Sequence, residues 1–155
     1  MLDSLDCNRA FVIDASVAAK WYLRDESLYW EASVLYDDHI AGRIELVAPR
    51  QIRVEVAAAF RRAVLRGRIT APHGEQLLHA WLDMSLSLVD NETLLLDANA
   101  LWLRHGCTLF DGLYIACAAQ TQAPLVTADE RLLRTIGNRP DLLVSLASYP
   151  ALPMV

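Results

Sequence analysis

Short apolar runs alternate with longer stretches of helical periodicity along this 155-residue chain. The runs that are typical of strands cover residues 10–14, 45–48, 85–90, 125–127 and 142–146. Strands interleaved with helices favour an α/β fold, in which a mainly parallel sheet is joined by right-handed crossovers. We therefore predict an α/β fold with a mainly parallel central sheet of about five strands.

Capping residues and glycines predict where the helices begin and end. We expect helices over residues 27–41, 49–65, 71–84 and 91–105, with glycines just after several of the ends. Three hydroxyl residues are predicted helix caps: Ser16 for the first helix, Thr108 for the helix that carries Asp111, and Thr127, with Glu130, for the last. Repeats and Gly/Ser linkers are lacking, so we expect residues 1–155 to form a single domain.

Composition limits the class of protein. Hydrophobic residues make up 54% of the chain, yet no apolar run approaches the roughly 20 residues that a membrane span needs. The first six residues lack the basic and apolar segments of a secretory signal, so we expect a cytoplasmic protein without a membrane contact. Cys7, Cys107 and Cys117 show no metal-site spacing, and we expect free, mostly buried thiols.

Arginine dominates the basic residues of a chain whose net charge is -5. Such an acidic balance argues against a general nucleic-acid coat protein, whose affinity depends on many phosphate contacts. Six arginines nevertheless fall between Arg50 and Arg68. Because a guanidinium binds phosphates and carboxylates equally well, Arg61, Arg62 and Arg66 are candidates for contacts with RNA or with an acidic partner.

Four carboxylates recur where predicted elements meet: Asp14, Glu55, Asp111 and Asp129. Each lies beside apolar sequence, where an isolated charge costs several kcal/mol or more. Lys20 is the only lysine, so amines are too few to pair with them all. A divalent cation such as Mg2+, which prefers oxygen ligands, would neutralise such a cluster.

Each acid also has a structural alternative. Asp14 could cap the helix behind it, Asp111 could complete a capping box with Thr108, and Asp129 could interact with a helix dipole. Glu55 could pair with a nearby arginine. The residues alone leave both interpretations open for each position.

Four segments resemble, in order, the acidic motifs of PIN-domain nucleases, especially the VapC-type toxins of bacterial toxin–antitoxin pairs. They are FVIDASVAAKW at 11–21, Pro49 followed by Glu55, FDGLYIA at 110–116 and LVTADERL at 125–132. The similarity runs from about residue 10 to 146. Gly112 departs from the pattern, because the family more often has alanine there, but no acid is missing.

The resemblance implies a PIN-like α/β/α sandwich and a Mg2+- or Mn2+-dependent endoribonuclease. In that family, Asp14, Asp111 and Asp129 would hold the metal, and Glu55 would be a further ligand or would orient the attacking water. Ser16 and Thr127 would be supporting hydroxyls. The resemblance also implies an RNA substrate, a cognate antitoxin protein that blocks the enzyme, and a homodimer.

Two other functions fit the α/β pattern less well. A non-catalytic module that binds RNA or protein would have no need for all four acids. A phosphotransfer receiver domain needs an adjacent acidic pair after its first strand and a lysine after its last, whereas Asp14 stands alone and Lys20 lies near the start. The sequence does not distinguish which RNA is cut, how many metal ions bind or which antitoxin is the partner.

Overall fold

A five-stranded parallel sheet forms the centre of the protein in a computed structural model that describes residues 9–151. The strands are β1 (Arg9–Ile13), β2 (Ile44–Pro49), β3 (Ser87–Val89), β4 (Leu125–Thr127) and β5 (Leu143–Ser145). Their order in the sheet is β3-β2-β1-β4-β5, and every neighbouring pair is parallel. The predicted α/β fold is confirmed. Cys7 and residues 1–6, on which the signal-peptide prediction rests, lie outside the described residues.

Seven α-helices connect or flank the strands within the described residues. They are α1 (Ala15–Ala18), α2 (Tyr29–Ile40), α3 (Ile52–Leu65), α4 (Ala71–Asp83), α5 (Asn91–His105), α6 (Leu109–Thr121) and α7 (Glu130–Ile136). Short 3-10 segments cover Ala19–Trp21 and Leu146–Ala151. The predicted bounds of α2 to α5 hold to within about three residues, the largest difference being the start of α3 at Ile52. The end of α5 is marked by Gly106 at φ 70°, which a residue with a side chain rarely adopts.

Two of the three predicted caps are wrong. Asp14, not Ser16, caps α1, and Asp129, not Thr127, caps α7. The hydroxyls of Ser16 and Thr127 instead make contacts between the ends of β1 and β4. Thr108 does cap α6, and Asp111 completes the predicted capping box.

The strands are buried on both faces. Consecutive residues of the central strands, such as Phe11, Val12 and Ile13, are fully inaccessible. Continuous burial of this kind requires helices on both sides of a parallel sheet, which is the α/β/α sandwich. Cys107 and Cys117 are free and buried, as predicted. None of the helices within residues 9–151 is both long and apolar enough to cross a membrane.

Helix α6 lies very close to α5 at Gly112. A Cβ atom added to Gly112 would lie 2.8 Å from the backbone oxygen of Ala98 and 3.2 Å from its Cα. The backbones can approach this closely only because the glycine has no side chain. The departure from the family pattern at Gly112 therefore has a packing reason.

Candidate active site

The site lies at the carboxyl edge of the sheet, between its two central strands. Strands β1 and β4 are neighbours, and Ile13 is paired with Val126. Because both strands end here, Asp14 and Thr127 follow at the same edge. The chain leaves β1 towards β2 on one side, while β4 lies on the other, and such a switch point is where open α/β sheets bind ligands.

Asp14 accepts hydrogen bonds at both carboxylate oxygens. The Ser16 hydroxyl donates to Oδ1 at 2.5 Å, where the Val17 amide also donates at 3.2 Å. The Thr127 hydroxyl donates to Oδ2. Each hydroxyl in turn accepts from a backbone amide of the β4–α7 connection, Ser16 from Ala128 and Thr127 from Asp129. Ser16 and Thr127 therefore hold Asp14 in one orientation and tie it to the segment that carries Asp129.

Burial determines the pKa of Asp14, because this residue is only 6% exposed. Loss of solvent raises the pKa of the Asp14 carboxyl above its usual range. The donated bonds from Ser16, Thr127 and Val17 act in the opposite direction, and the charge of Asp129 adds to the rise. A nearby cation would stabilise the ionised form of Asp14 and so would lower this pKa.

Glu55 faces the same edge from the first turn of α3. The Tyr114 hydroxyl of α6 donates to its Oε1 at 3.3 Å. Partial burial raises the pKa of Glu55 to about 7; the Tyr114 bond opposes this, and the charges of Asp14 and Asp111 add to the rise. A carboxyl with a pKa near neutrality can exchange a proton under physiological conditions.

Arg131 lies between the two remaining acids. Its Nη2 atom lies 3.1 Å from Asp111 Oδ2 and 3.9 Å from Asp129 Oδ2. Hydrogen bonds at helix N-termini fix both acids: Asp111 accepts from the Thr108 amide in the capping box of α6, and Asp129 caps α7 by accepting from the Leu132 amide. Both acids therefore have the structural role at a helix N-terminus that the sequence left open, and this role also holds their carboxylates at the site.

The four predicted acids come from α3, α6 and the ends of β1 and β4, and pairwise electrostatic interactions connect them: Asp14 with Asp129 and Glu55, and Glu55 with Asp111. Their donor atoms are all carboxylate oxygens, which suit a hard divalent cation. Among residues 9–151, however, no three Asp, Glu, His or Cys side chains stand close enough to hold a metal ion as they are placed. The set therefore fits a divalent metal by its chemistry, with Arg131 standing between two of the candidate ligands.

A cleft of about 470 Å3 opens beside the acids. Alanines from the first helical segment and from α3 form much of its wall, and Ser16 and Glu55 also line it. Its cations are Lys20, Arg62, Arg66 and Arg68, of which Lys20 and Arg68 form ion pairs with Glu26 in the same cleft. Arg61 lies elsewhere, in a shallow depression between α3 and α4. Of the three candidate arginines, the structure places Arg62 and Arg66 in the cleft that Glu55 also lines, and Arg61 outside it.

Sequence reasoning missed two side chains that contact the acids. Tyr114 lies one helical turn after Asp111, and Arg131 lies two residues after Asp129. Both belong to the motif segments at 110–116 and 125–132. Spacing from an acid is therefore the signal that could have identified them.

Comparison with known proteins identifies the family. The model of the PIN domain family matches residues 11–138. Ribonuclease VapC1 from two strains of Mycobacterium tuberculosis, CDC 1551 / Oshkosh and H37Rv, is 38% identical over 93 residues, which cover 58% of this chain and 67% of the relative.

Two solved structures share the fold. PAE2754 from Pyrobaculum aerophilum superposes with a TM-score of 0.68 at 19% identity, covering 94% of this chain and 92% of that one. A toxin–antitoxin complex from Klebsiella pneumoniae gives 0.59 at 13% identity, covering 88% and 97%. Since the family model spans most of the sequence and all four motif acids, this chain belongs to the PIN domain family.

Proposed function

We propose that this protein is a divalent-metal-dependent endoribonuclease, the toxin of a toxin–antitoxin pair. The observation that carries the proposal is the convergence of Asp14, Glu55, Asp111 and Asp129 at one edge of a PIN-domain sheet. Similarity to Ribonuclease VapC1 supports RNA as the substrate class. The ordered acids argue for catalysis rather than for a module that only binds RNA or protein.

Asp14, Asp111 and Asp129 are the proposed ligands of Mg2+ or Mn2+. A bound divalent cation neutralises phosphate oxygens and favours the ionisation of water. Ser16 and Thr127 are the proposed supporting hydroxyls, because their donated bonds fix both oxygens of Asp14.

Glu55 is the proposed proton acceptor. With a pKa raised to about 7, its carboxylate can take a proton from the water that attacks the phosphorus atom. The phosphorus–oxygen bond to the leaving nucleotide then breaks, and solvent supplies a proton to the leaving oxygen. Tyr114 positions Glu55 through the hydroxyl that donates to Oε1.

The cleft is the proposed path of the RNA strand. Arg62 and Arg66 line it together with Glu55, while Lys20 and Arg68, which also line it, form ion pairs with Glu26. Guanidinium and ammonium groups bind phosphates through charge-assisted hydrogen bonds. Arg61, which faces away, is better suited to contact a protein partner.

A cognate antitoxin and a second copy of the chain are the proposed protein partners, and the cytoplasm is the proposed location. Helix α5 exposes leucines at positions 95, 96 and 103 and Trp102, with exposed fractions from 40% to 86%. An exposed apolar face of this kind is typical of a protein interface. We assign it to the homodimer.

Cleavage of purified cellular RNA tests the proposal. Wild-type protein, freed of antitoxin, should produce discrete fragments with Mg2+ or Mn2+ and none with EDTA. Asp14→Asn and Asp111→Asn should each lose cleavage by on the order of a hundredfold, because each removes the charge of a proposed ligand of the divalent cation. Circular dichroism should show that both variants remain folded.

Asp83→Asn is the matched control, since Asp83 is an exposed carboxylate at the end of α4. It removes the same charge far from the acids and should retain full activity. Intact RNA after incubation of the metal-loaded wild type would contradict the proposal and would favour the binding module. Full activity in both Asp14→Asn and Asp111→Asn would contradict it as well.

A further inference from the structure

A single guanidinium nitrogen lies between two of the motif acids. Arg131 Nη2 is 3.1 Å from Asp111 Oδ2 and 3.9 Å from Asp129 Oδ2, and these two contacts come from different helix N-termini. The positive charge thus occupies the space that faces both carboxylates. A cation of the protein itself stands where a bound cation would contact the same oxygens.

The two acids are held in place independently of Arg131. Asp129 Oδ1 accepts from the Leu132 amide at 3.1 Å, which leaves Oδ2 directed at the guanidinium. The Asp111 carboxylate accepts from the Thr108 amide at 3.3 Å, and the Asp111 amide donates to the Thr108 hydroxyl. Withdrawal of Arg131 would therefore leave both carboxylates facing the same space, with their caps intact.

Arg131 itself is held loosely. Its side chain is 60% exposed, whereas those of Asp111 and Asp129 are 19% and 34% exposed. An exposed ion pair contributes little free energy, so the side chain can be displaced without loss of the fold. Two partly exposed acids with an exposed counter-charge form an arrangement that another cation can enter.

We propose that Arg131 is an internal cation that competes with the divalent metal for Asp111 and Asp129. The inference rests on the proposed metal site and assigns it a built-in regulator of metal affinity. At low metal concentration Arg131 neutralises the two acids; at higher concentration the divalent cation displaces the guanidinium into solvent. In the metal-free protein the guanidinium offsets the repulsion between the two acids, whose positions are fixed by their helix caps.

Calorimetric titration of the purified full-length protein with MnCl2 tests the competition without any RNA. Arg131→Gln should bind Mn2+ roughly three- to tenfold more tightly than wild type, because the competing charge is gone. Arg131→Lys, which keeps the charge, should lie close to wild type. Arg134→Gln is the matched control: it removes one charge from the same helix, but Arg134 pairs with Glu130 at 3.6 Å.

Thermal unfolding supplies a second readout. In EDTA, Arg131→Gln should melt below wild type, since Asp111 and Asp129 lose their counter-charge. Saturating Mn2+ should abolish this difference. A change confined to the metal-free state is not expected from a purely structural role of Arg131.

Unchanged or weaker Mn2+ binding by Arg131→Gln would overturn the proposal, as would an equal gain by Arg134→Gln or a lack of Mn2+ binding in every protein. The result is separable from the RNA assay. Tighter Mn2+ binding by Arg131→Gln without RNA cleavage by wild type would support the competition and reject the nuclease. Cleavage of RNA by wild type, with Mn2+ binding unchanged in Arg131→Gln, would support the nuclease and reject the competition.

Discussion

Each aspartate of the site takes part in the cap of a helix N-terminus. Asp14 caps α1, Asp111 belongs to the capping box of α6, and Asp129 caps α7. A helix N-terminus carries partial positive charge, which favours a carboxylate there. The caps therefore also stabilise the site, because they fix the directions of carboxylates that would otherwise repel one another and move apart.

Glu55 differs from the aspartates because it lies within a helix and is only partly buried. Its pKa is raised to about 7 from 4.5, mainly by burial. The folded protein thus binds this proton more tightly than the unfolded chain does. The free energy of unfolding should consequently fall as the pH rises from about 4.5 to about 7, and it should stay lowered above that pH.

Glu55→Gln removes the ionisation and should stabilise the metal-free protein at pH 8 by about 1 kcal/mol, a value reduced for solvent screening at a partly exposed group. At pH 4.5 the variant and the wild type should be nearly equal. Thermal unfolding in EDTA at both pH values measures the difference. Glu75→Gln, at an exposed position on α4, is the control, and a gain of the same size at both pH values would contradict the prediction.

At the scale of elements, the hydroxyls of Ser16 and Thr127 show how a cap prediction fails. Both residues have good capping chemistry, but an aspartate two residues away takes the cap in each case. Thr127 remains in β4, where it is fully buried and its hydroxyl donates to Asp14. Asp129 rather than Thr127 therefore caps α7, because the Thr127 hydroxyl is engaged with Asp14 on the neighbouring strand.

Gly112→Ala should destabilise the protein by about 1–3 kcal/mol, because the added methyl would meet the backbone of α5 and force the helices apart. Helix propensity alone predicts the opposite sign. Denaturant unfolding distinguishes the two effects.

Gly74→Ala is the matched control on α4. Its Cβ would lie 2.8 Å from a side-chain methyl of Val64 rather than from backbone, so the neighbour can shift more cheaply. We expect a smaller loss, offset in part by the gain in helix propensity. A loss at Gly74 equal to that at Gly112 would show that the backbone contact is not the cause.

At the scale of the whole molecule, charged and apolar surfaces occupy different elements. The cations of the cleft come from the 3-10 segment after α1, from α3 and from the turn that follows it. The exposed apolar face lies on α5. Variants can therefore change the proposed RNA path and the proposed dimer interface separately.

Leu96→Glu combined with Leu103→Glu should convert the proposed dimer into a monomer, because both side chains, 86% and 71% exposed, lie on one face of α5. Sedimentation analysis measures the mass. Leu82→Glu places the same charge on an exposed leucine of α4 and should leave the dimer intact. A wild-type monomer, or a dimer that persists in the double variant, would contradict the assignment.

The order of the strands along the chain, the approximate helix boundaries and the four acids could all be predicted from the sequence. The strands and helices depend on short-range causes, because periodicity marks buried faces and glycines end helices. Asp14 and Asp129 follow strands whose carboxyl ends meet at one edge of a parallel sheet, whereas Glu55 and Asp111 lie on helices, and their place at that edge depends on how α3 and α6 pack. The organisation of residues 1–155 as one domain and the catalytic roles of the acids stay predictions.

Tertiary structure alone decided which side chains contact the acids. Tyr114 reaches Glu55 across 59 residues of sequence, and Thr127 reaches Asp14 across 113. Arg61 and Arg62 are adjacent in sequence, yet only Arg62 lines the cleft. Local propensity does not distinguish these outcomes, because each depends on how closely two helices approach and on which face of α3 packs against its neighbours.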